Sequence, residues 1–267
     1  MIKMVVTDID GTILSKSGIF SKKIKDTFKN LIANNVKTVL ATGRMFCATL
    51  PLAKELGIVE PLITYQGGFI KEPFENGKIL RQILLERNLT FDILEKIKKE
   101  NLHINLYTND TLYVENDNAL IKQYCDERNI TYTVLKNFKE LDFAGVHKLL
   151  AIDNDSEKIS NLIEKLSQEF ANQAYITHST PYFCEISSPK ANKGDAIKFL
   201  ANHWNIKKEE ILCSGDQNND IELLENGGIK VAMGNASTGL KQVADFVSDT
   251  VENDGFALAI DKFVFER

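Results

Sequence analysis

Two aspartates, Asp8 and Asp10, lie one residue apart directly after a short apolar run, in the stretch VVTDIDGT. Carboxylates this close repel each other and are costly to desolvate unless a cation or a proton compensates their charge. The stretch SGDQNND, far along the chain, adds two more acids, Asp216 and Asp220. Carboxylate oxygens are the ligands that Mg²⁺ prefers. If the four acids share one crevice, they predict a magnesium site.

Hydrogen-bond donors and one cation accompany these acids. Thr42 and Gly43 follow the predicted strand in the stretch KTVLATGR, Lys193 opens a predicted helix, and Asn219 precedes the last acid. Hydroxyl groups, side-chain amides and backbone N–H groups bind phosphate oxygens. A divalent cation beside a lysine therefore predicts a ligand that carries phosphate.

An α/β pattern positions these residues. Buried-strand runs and helical segments alternate over residues 2–65, and the same rhythm returns after residue 193. In between, residues 83–187 show paired strands with helices, which is typical of an antiparallel α+β unit. We predict a parallel-sheet α/β core from residues 1–82 and 188–267, with residues 83–187 inserted as a second domain. Ligands collect outside the carboxyl ends of parallel strands, so the acidic and donor segments should converge there.

Composition narrows the class of protein. The 267 residues are 43% hydrophobic and 26% charged, which is enough for a sizeable core. A net charge of -5 without a basic block argues against a nucleic-acid surface. The sequence has no long apolar run, so we expect that the chain is neither inserted into a membrane nor exported. Four scattered cysteines without CxxC spacing favour reduced thiols and a cytoplasmic location.

Four short motifs occur in the order DIDGT, ATGR, NKG and GDQNND. Together they resemble the motifs of the haloacid dehalogenase superfamily, and VAMGNA and NDGFALAI resemble the end of its Cof-type phosphatase branch. The resemblance covers nearly the whole chain and implies a Rossmann-like core with a C2-type cap. It also implies a Mg²⁺-dependent phosphatase of small phosphomonoesters such as sugar phosphates, acting through an aspartyl-phosphate. The cap would close over the crevice and select the substrate.

The resemblance implies a role for each motif residue. Asp8 would be the nucleophile, and Asp10 would act first as general acid and then as general base. The other implied roles are metal binding by Asp8, the backbone carbonyl of Asp10 and Asp216, phosphate binding by Thr42, Gly43, Lys193 and Asn219, and support by Thr12 and Asp220. For Thr12 we expect a local hydrogen bond that holds the turn behind Gly11.

Other positions are open to two interpretations. Lys148 resembles a lysine often seen in this branch, and His178 and Glu185 lie on predicted strands that could face the cleft, but structural or solvated roles explain all three equally well. Arg44 suits either a structural ion pair or a bystander of the site. Gln66 stands where the family has asparagine in an Asn-Gly turn, which leaves the contacts of this turn undefined.

Three other functions stay open at this point. A phosphomutase of the same superfamily also has a C2 cap. A dehalogenase is less favoured because its chemistry needs neither Asp10 nor magnesium. A non-enzymatic phospho-acceptor also places aspartates, a threonine and a lysine around Mg²⁺, but it would be a small single domain. Neither the oligomeric state nor the physiological substrate can be derived from the sequence.

Overall fold

A computed structural model describes residues 1–266. The chain divides into two compact units, one formed by Met1–Arg81 with the described residues from Asn192 onward, the other by Gln82–Ala191. The strands are β1 (Met4–Thr7), β2 (Lys37–Leu40), β3 (Leu62–Thr64), β4 (Phe69–Lys71), β5 (Ile79–Gln82), β6 (Leu85–Glu86), β7 (His103–Thr108), β8 (Thr111–Val114), β9 (Tyr132–Val134), β10 (Gly145–Val146), β11 (Lys148–Ile152), β12 (Tyr175–Thr180), β13 (Phe183–Ser187), β14 (Ile211–Gly215), β15 (Ile229–Ala232) and β16 (Phe246–Val247). The α-helices are α1 (Lys22–Ala33), α2 (Phe46–Glu55), α3 (Arg87–Lys99), α4 (Ala119–Arg128), α5 (Ser156–Glu169), α6 (Lys193–His203), α7 (Ile221–Glu225), α8 (Thr238–Val243) and α9 (Gly255–Ile260).

The first unit is built on a parallel sheet in the order β16-β15-β14-β1-β2, which confirms the predicted α/β class. A parallel bridge between Ala41 and Ile63 adds β3 beside β2. Every residue of β1 and β14 is buried, as expected for strands covered on both faces. Because β14, β1 and β2 are neighbours, the loops at their carboxyl ends lie side by side.

Helix α1 shows how the sequence fixes one covering helix. Ser21 caps it, since its hydroxyl accepts a hydrogen bond from the Ile24 N–H at 3.0 Å. Phe28 on the buried face stacks on Phe256 of α9 with ring centroids 5.5 Å apart. The N-terminal and C-terminal segments of the chain therefore share one core.

Helix α2 is absent from the sequence-based expectation. It contains Pro51, which lacks an N–H donor and normally breaks a helix. Its buried residues are Phe46, Thr49 and Ala53, so a polar side chain interrupts the apolar face that would have signalled a helix. Thr49 donates its hydroxyl hydrogen to the Met45 carbonyl at 2.8 Å within the same helix.

The second unit contains a sheet in the order β12-β13-β11-β7-β8-β9. The predicted antiparallel arrangement is wrong for one pair, because β8 and β9 are parallel. Helix α4 lies between these two strands in the chain, and a helical crossover is the usual connection between parallel neighbours. An apolar cluster that includes Ile93 of α3, Leu149 of β11 and Leu162 of α5 covers one face of this sheet. Within residues 1–266, no helix combines the length and apolarity needed to cross a bilayer.

Candidate active site

The turn after β1 carries Asp8 to Thr12 and is held mainly by its own backbone. The N–H groups of Thr12, Ile13 and Leu14 all donate to the carbonyl of Ile9, at 3.3, 3.0 and 2.9 Å. Gly11 has φ +77°, in the left-handed region that favours glycine. A Cβ at this position would collide with the carboxylate of Asp216. Glycine therefore lets the loop after β14 approach the turn closely.

The expected local hydrogen bond of Thr12 is not present. Its Oγ1 is buried and has no hydrogen-bond partner. The three N–H bonds to Ile9 already close the turn, so the hydroxyl is not needed for that purpose. Asn235 supplies an additional support, because its Nδ2 donates to the Gly11 carbonyl at 2.8 Å.

Lys193 lies at the centre of the buried charges. Its Nζ donates to Oδ1 of Asp8 at 2.6 Å and to Oδ1 of Asp220 at 2.6 Å. The other oxygen of Asp220 accepts the N–H groups of Asp216 and Gln217, at 3.0 and 3.2 Å. Lys193 is the first residue of α6, where Asn192 caps the helix through the Asp195 N–H at 2.7 Å. The structure thus joins residues 8, 193, 216 and 220 in one network.

The electrostatics of this network leave an excess of negative charge. Burial raises the pKa of Asp8 to about 8, although Lys193 opposes the rise. Burial also raises the pKa of Asp216 to about 6. Burial alone would lower the pKa of Lys193, but its ion pairs with Asp220 and Asp8 outweigh this effect and raise it. One lysine cannot neutralise three buried carboxylates, so a further cation would reduce the repulsion among them.

The donor set fits a hard divalent metal ion. Asp8, Asp216 and Asp220 each offer one carboxylate oxygen, and these atoms lie within 4.8 Å of one another. Oδ1 of Asp216 is buried without a hydrogen-bond partner, which is costly unless a ligand compensates it. Asp220 is committed to Lys193 and to two backbone amides, so Asp8 and Asp216 are the better candidates for metal ligands.

Arg44 forms an ion pair with Asp10, which decides between the two interpretations of this arginine. Its Nε donates to Oδ2 of Asp10 at 2.8 Å and its Nη2 to Oδ1 at 2.5 Å. The pair is bidentate, with the arginine less exposed than the aspartate. Arg44 therefore fixes the orientation of the Asp10 carboxylate beside the nucleophile candidate.

The expected phosphate donors lie on loops at the same sheet edge. Thr42 is buried, and its Oγ1 accepts the Arg44 N–H at 3.2 Å, which leaves the hydroxyl hydrogen to donate. Asn219 donates its Nδ2 hydrogen to Oε1 of Gln66 at 3.2 Å. Gly43 packs against the same Gln66 side chain. The contact with Gln66 was not expected from the sequence, where only its unusual residue type signalled it.

The stretch VAMGNAS also supports the loops of the site, which was not expected from the sequence. Besides Gly11, Asn235 binds the Val251 N–H through its Oδ1 at 2.9 Å. The Ser237 N–H donates to the Asp216 carbonyl at 2.8 Å. We define Asn235 and Ser237 as the C-terminal brace, because they tie the loops after β1 and β14 to the end of the chain. The sequence offered Asn235 only as part of a family motif and did not point to Ser237.

The three candidates in the second unit do not form one group. Lys148 and Glu185 form an ion pair at 3.3 Å, and both side chains are largely buried. The register places Lys148 opposite Tyr107, and its Nζ lies 5.1 Å from the centre of that ring. His178 is paired with Cys184, which belongs to the apolar cluster on the other sheet face. Since side chains alternate along a strand, His178 and Glu185 project from opposite faces.

Comparison with known proteins identifies the family of this site. A family model described as haloacid dehalogenase-like hydrolase matches residues 5–260. The chain belongs to this family. The prediction drawn from the four motifs is therefore confirmed.

Relatives of this haloacid dehalogenase-like hydrolase show the same fold and enzyme class. A crystal structure of a Thermotoga maritima protein is 34% identical, with 100% of this chain and 99% of that chain covered and a TM-score of 0.90. Phosphatase YwpJ of Bacillus subtilis is 28% identical, covering 96% of this chain and 97% of the relative. A 5-amino-6-(5-phospho-D-ribitylamino)uracil phosphatase of the same organism is 26% identical over 98% of both. These findings confirm a phosphatase-type hydrolase.

The family generally uses a divalent metal ion, in keeping with the buried aspartate cluster.

Proposed function

We propose that this protein is a Mg²⁺-dependent phosphatase of small phosphomonoesters, such as sugar phosphates, and acts through a phosphorylated Asp8. The observation that carries the proposal is the buried Asp8 carboxylate, paired with Lys193 at 2.6 Å and grouped with the oxygens of Asp216 and Asp220. A carboxylate nucleophile splits a difficult displacement into two easier steps. The wild-type protein should accordingly release inorganic phosphate from its substrate.

In the first step, an oxygen of Asp8 forms a bond to phosphorus while the bond from phosphorus to the substrate oxygen breaks. Asp10 gives a proton to the leaving oxygen, for which its carboxyl group must be protonated and its ion pair with Arg44 must open. In the second step, Asp10 takes a proton from water, and the resulting hydroxide attacks phosphorus. The Asp8–phosphorus bond then breaks, and inorganic phosphate leaves. Positioned acid–base catalysis of this kind contributes about 10²- to 10⁴-fold.

The remaining site residues would hold the phosphoryl group. Lys193 would place its charge beside the transferred oxygens, while the Thr42 hydroxyl, the Gly43 N–H and the Asn219 amide would donate hydrogen bonds. Asp8, the Asp10 carbonyl and Asp216 would hold the metal ion, with Asp220 orienting Lys193. When bound, Mg²⁺ would neutralise charge on the phosphoryl oxygens and the aspartates.

We also propose a role for the second unit, a class of substrate and a location in the cell. Residues 83–187 would form the cap that selects the substrate, a small phosphorylated metabolite. The relative that acts on a phosphorylated ribitylaminouracil supports this substrate class without fixing the substrate. The four free cysteines support a cytoplasmic location, because reduced thiols persist there.

A metal titration tests the proposal. Phosphate release from a panel of phosphorylated metabolites should stop when EDTA is added and return with excess Mg²⁺. Asp216→Asn should raise the Mg²⁺ concentration for half-maximal activity by at least about 10-fold, since it replaces a charged ligand by a neutral one and even a lost partner of a ligand costs this much. Asp245→Asn changes a carboxylate that binds the Lys230 N–H away from the cluster and should leave this concentration unchanged. Full activity in EDTA would contradict the proposed metal dependence.

A further inference from the structure

The turn at Tyr65–Gly67 is bound to the loop that carries Thr42 and Gly43. Tyr65 and Gln66 both have left-handed backbones, with φ of +50° and +57°, a conformation that side chains of this size seldom adopt. The Gln66 N–H donates to the Thr42 carbonyl at 3.0 Å, and the Tyr65 N–H donates to the Arg44 carbonyl at 3.0 Å. These bonds fix the turn against the loop despite its unfavourable backbone.

The same turn packs against the start of α6. Gly67 has φ +96°, and a Cβ there would collide with the carbonyl of Asn192. Asn192 is the capping residue directly before Lys193. The backbone of the turn is therefore in close contact with the segment that presents the buried lysine.

The Gln66 side chain reaches the third segment of the site. Its Oε1 accepts the Asn219 Nδ2 hydrogen at 3.2 Å, and its terminal amide group lies against the Cα of Gly43. Asn219 is itself exposed, and an exposed amide without a partner would sample several rotamers. The hydrogen bond to Gln66 restricts that sampling. An asparagine at position 66 would place its amide one methylene short of Asn219.

We propose that Gln66 is a positioning residue for phosphate recognition: it orients the Asn219 amide. This inference rests on the proposed function, in which Asn219 and Gly43 bind the phosphoryl group. The unusual residue type of this turn then has a role in this chain. Its side chain links two phosphate-binding loops that follow different strands.

A double-mutant cycle tests the inference. Gln66→Ala, Asn219→Ala and the double variant are compared with wild type for hydrolysis of p-nitrophenyl phosphate and for inhibition by inorganic phosphate. Gln66→Ala should raise both KM and the inhibition constant of phosphate by about 3- to 10-fold, the effect of one lost hydrogen bond. The double variant should match Asn219→Ala alone, because Gln66 acts through Asn219.

The variant Gln66→Asn distinguishes the effect of side-chain length from that of the left-handed backbone. Asn is more tolerant of the left-handed region than Gln, so Gln66→Asn should keep or raise the melting temperature. It should nevertheless weaken phosphate inhibition as much as Gln66→Ala. Effects of Gln66→Ala and Asn219→Ala that multiply in the double variant would overturn the inference, as would an unchanged inhibition constant in Gln66→Ala. Wild-type hydrolysis, measured first, tests the proposed function separately, so the two failures are distinguishable.

Discussion

Asp8→Asn is expected to lower the rate of phosphomonoester hydrolysis by about 10⁴-fold or more, because it removes the proposed nucleophile. The amide keeps the size of the side chain and can still accept a hydrogen bond from Lys193. We therefore expect the fold to persist. The measurement is phosphate release from p-nitrophenyl phosphate, with circular dichroism and a melting curve recorded on the same sample.

The control for this variant is an acid of the same unit outside the cluster. Asp261→Asn lies after α9 and should leave the hydrolysis rate unchanged. If Asp8→Asn hydrolysed the substrate at the wild-type rate, phosphoryl transfer to Asp8 would be ruled out.

Asp8→Asn should also change how the stability of the metal-free protein depends on pH. Burial raises the pKa of Asp8 to about 8, whereas an unfolded chain returns it to its ordinary value near 4. Between these values the unfolded state releases the proton and the folded state retains it, so the free energy of unfolding falls as pH rises. The Asp8→Asn variant has no carboxyl group at this position, so its free energy of unfolding does not fall with pH for this reason. In urea titrations with EDTA, it should gain stability relative to wild type between pH 5 and pH 8.

Lys193→Met is expected to lower the free energy of unfolding by about 3 to 5 kcal/mol, because it leaves Asp8 and Asp220 buried without their shared cation. The methionine fills a similar volume, so a packing defect contributes little. Activity should also fall sharply, since methionine cannot place a positive charge beside the transferred phosphoryl group. Urea denaturation at pH 7 measures the first effect and phosphate release the second.

Lys198 offers a matched control on the same helix. It pairs with Asp195 at 3.3 Å, and both side chains are largely exposed to solvent. Exposed pairs contribute little, so Lys198→Met should change the free energy of unfolding by less than about 0.5 kcal/mol. Equal losses in the two variants would show that the buried network adds nothing special to stability.

The sequence predicted the parallel core and the residues around Asp8 because their signals are local. A buried apolar strand followed by paired acids is visible in any short window. Helix α2 could not be predicted, since Pro51 opposes a helix locally and only tertiary packing overrides it. The parallel pairing of β8 with β9 likewise depends on where α4 carries the chain.

Within the site, residue types were predictable but their partners were not. The sequence could name Asp10 and Arg44, yet not that both oxygens of the acid meet the arginine. It suggested a hydrogen bond for Thr12 that the backbone of the turn made unnecessary. Contacts between segments over 150 positions apart, such as Gln66 with Asn219, leave no periodic trace in a sequence.

The C-terminal brace also bears on how the protein is synthesised. The turn behind Asp8 leaves the ribosome long before its partners, because β14, which pairs with β1, and Asn235, which binds the Gly11 carbonyl, follow more than 200 residues later. Such distant pairings are slow to form, and a nascent chain must keep its first strand out of wrong associations until they do. A translating polypeptide should therefore remain inactive until Asn235 has been made and can bind the turn.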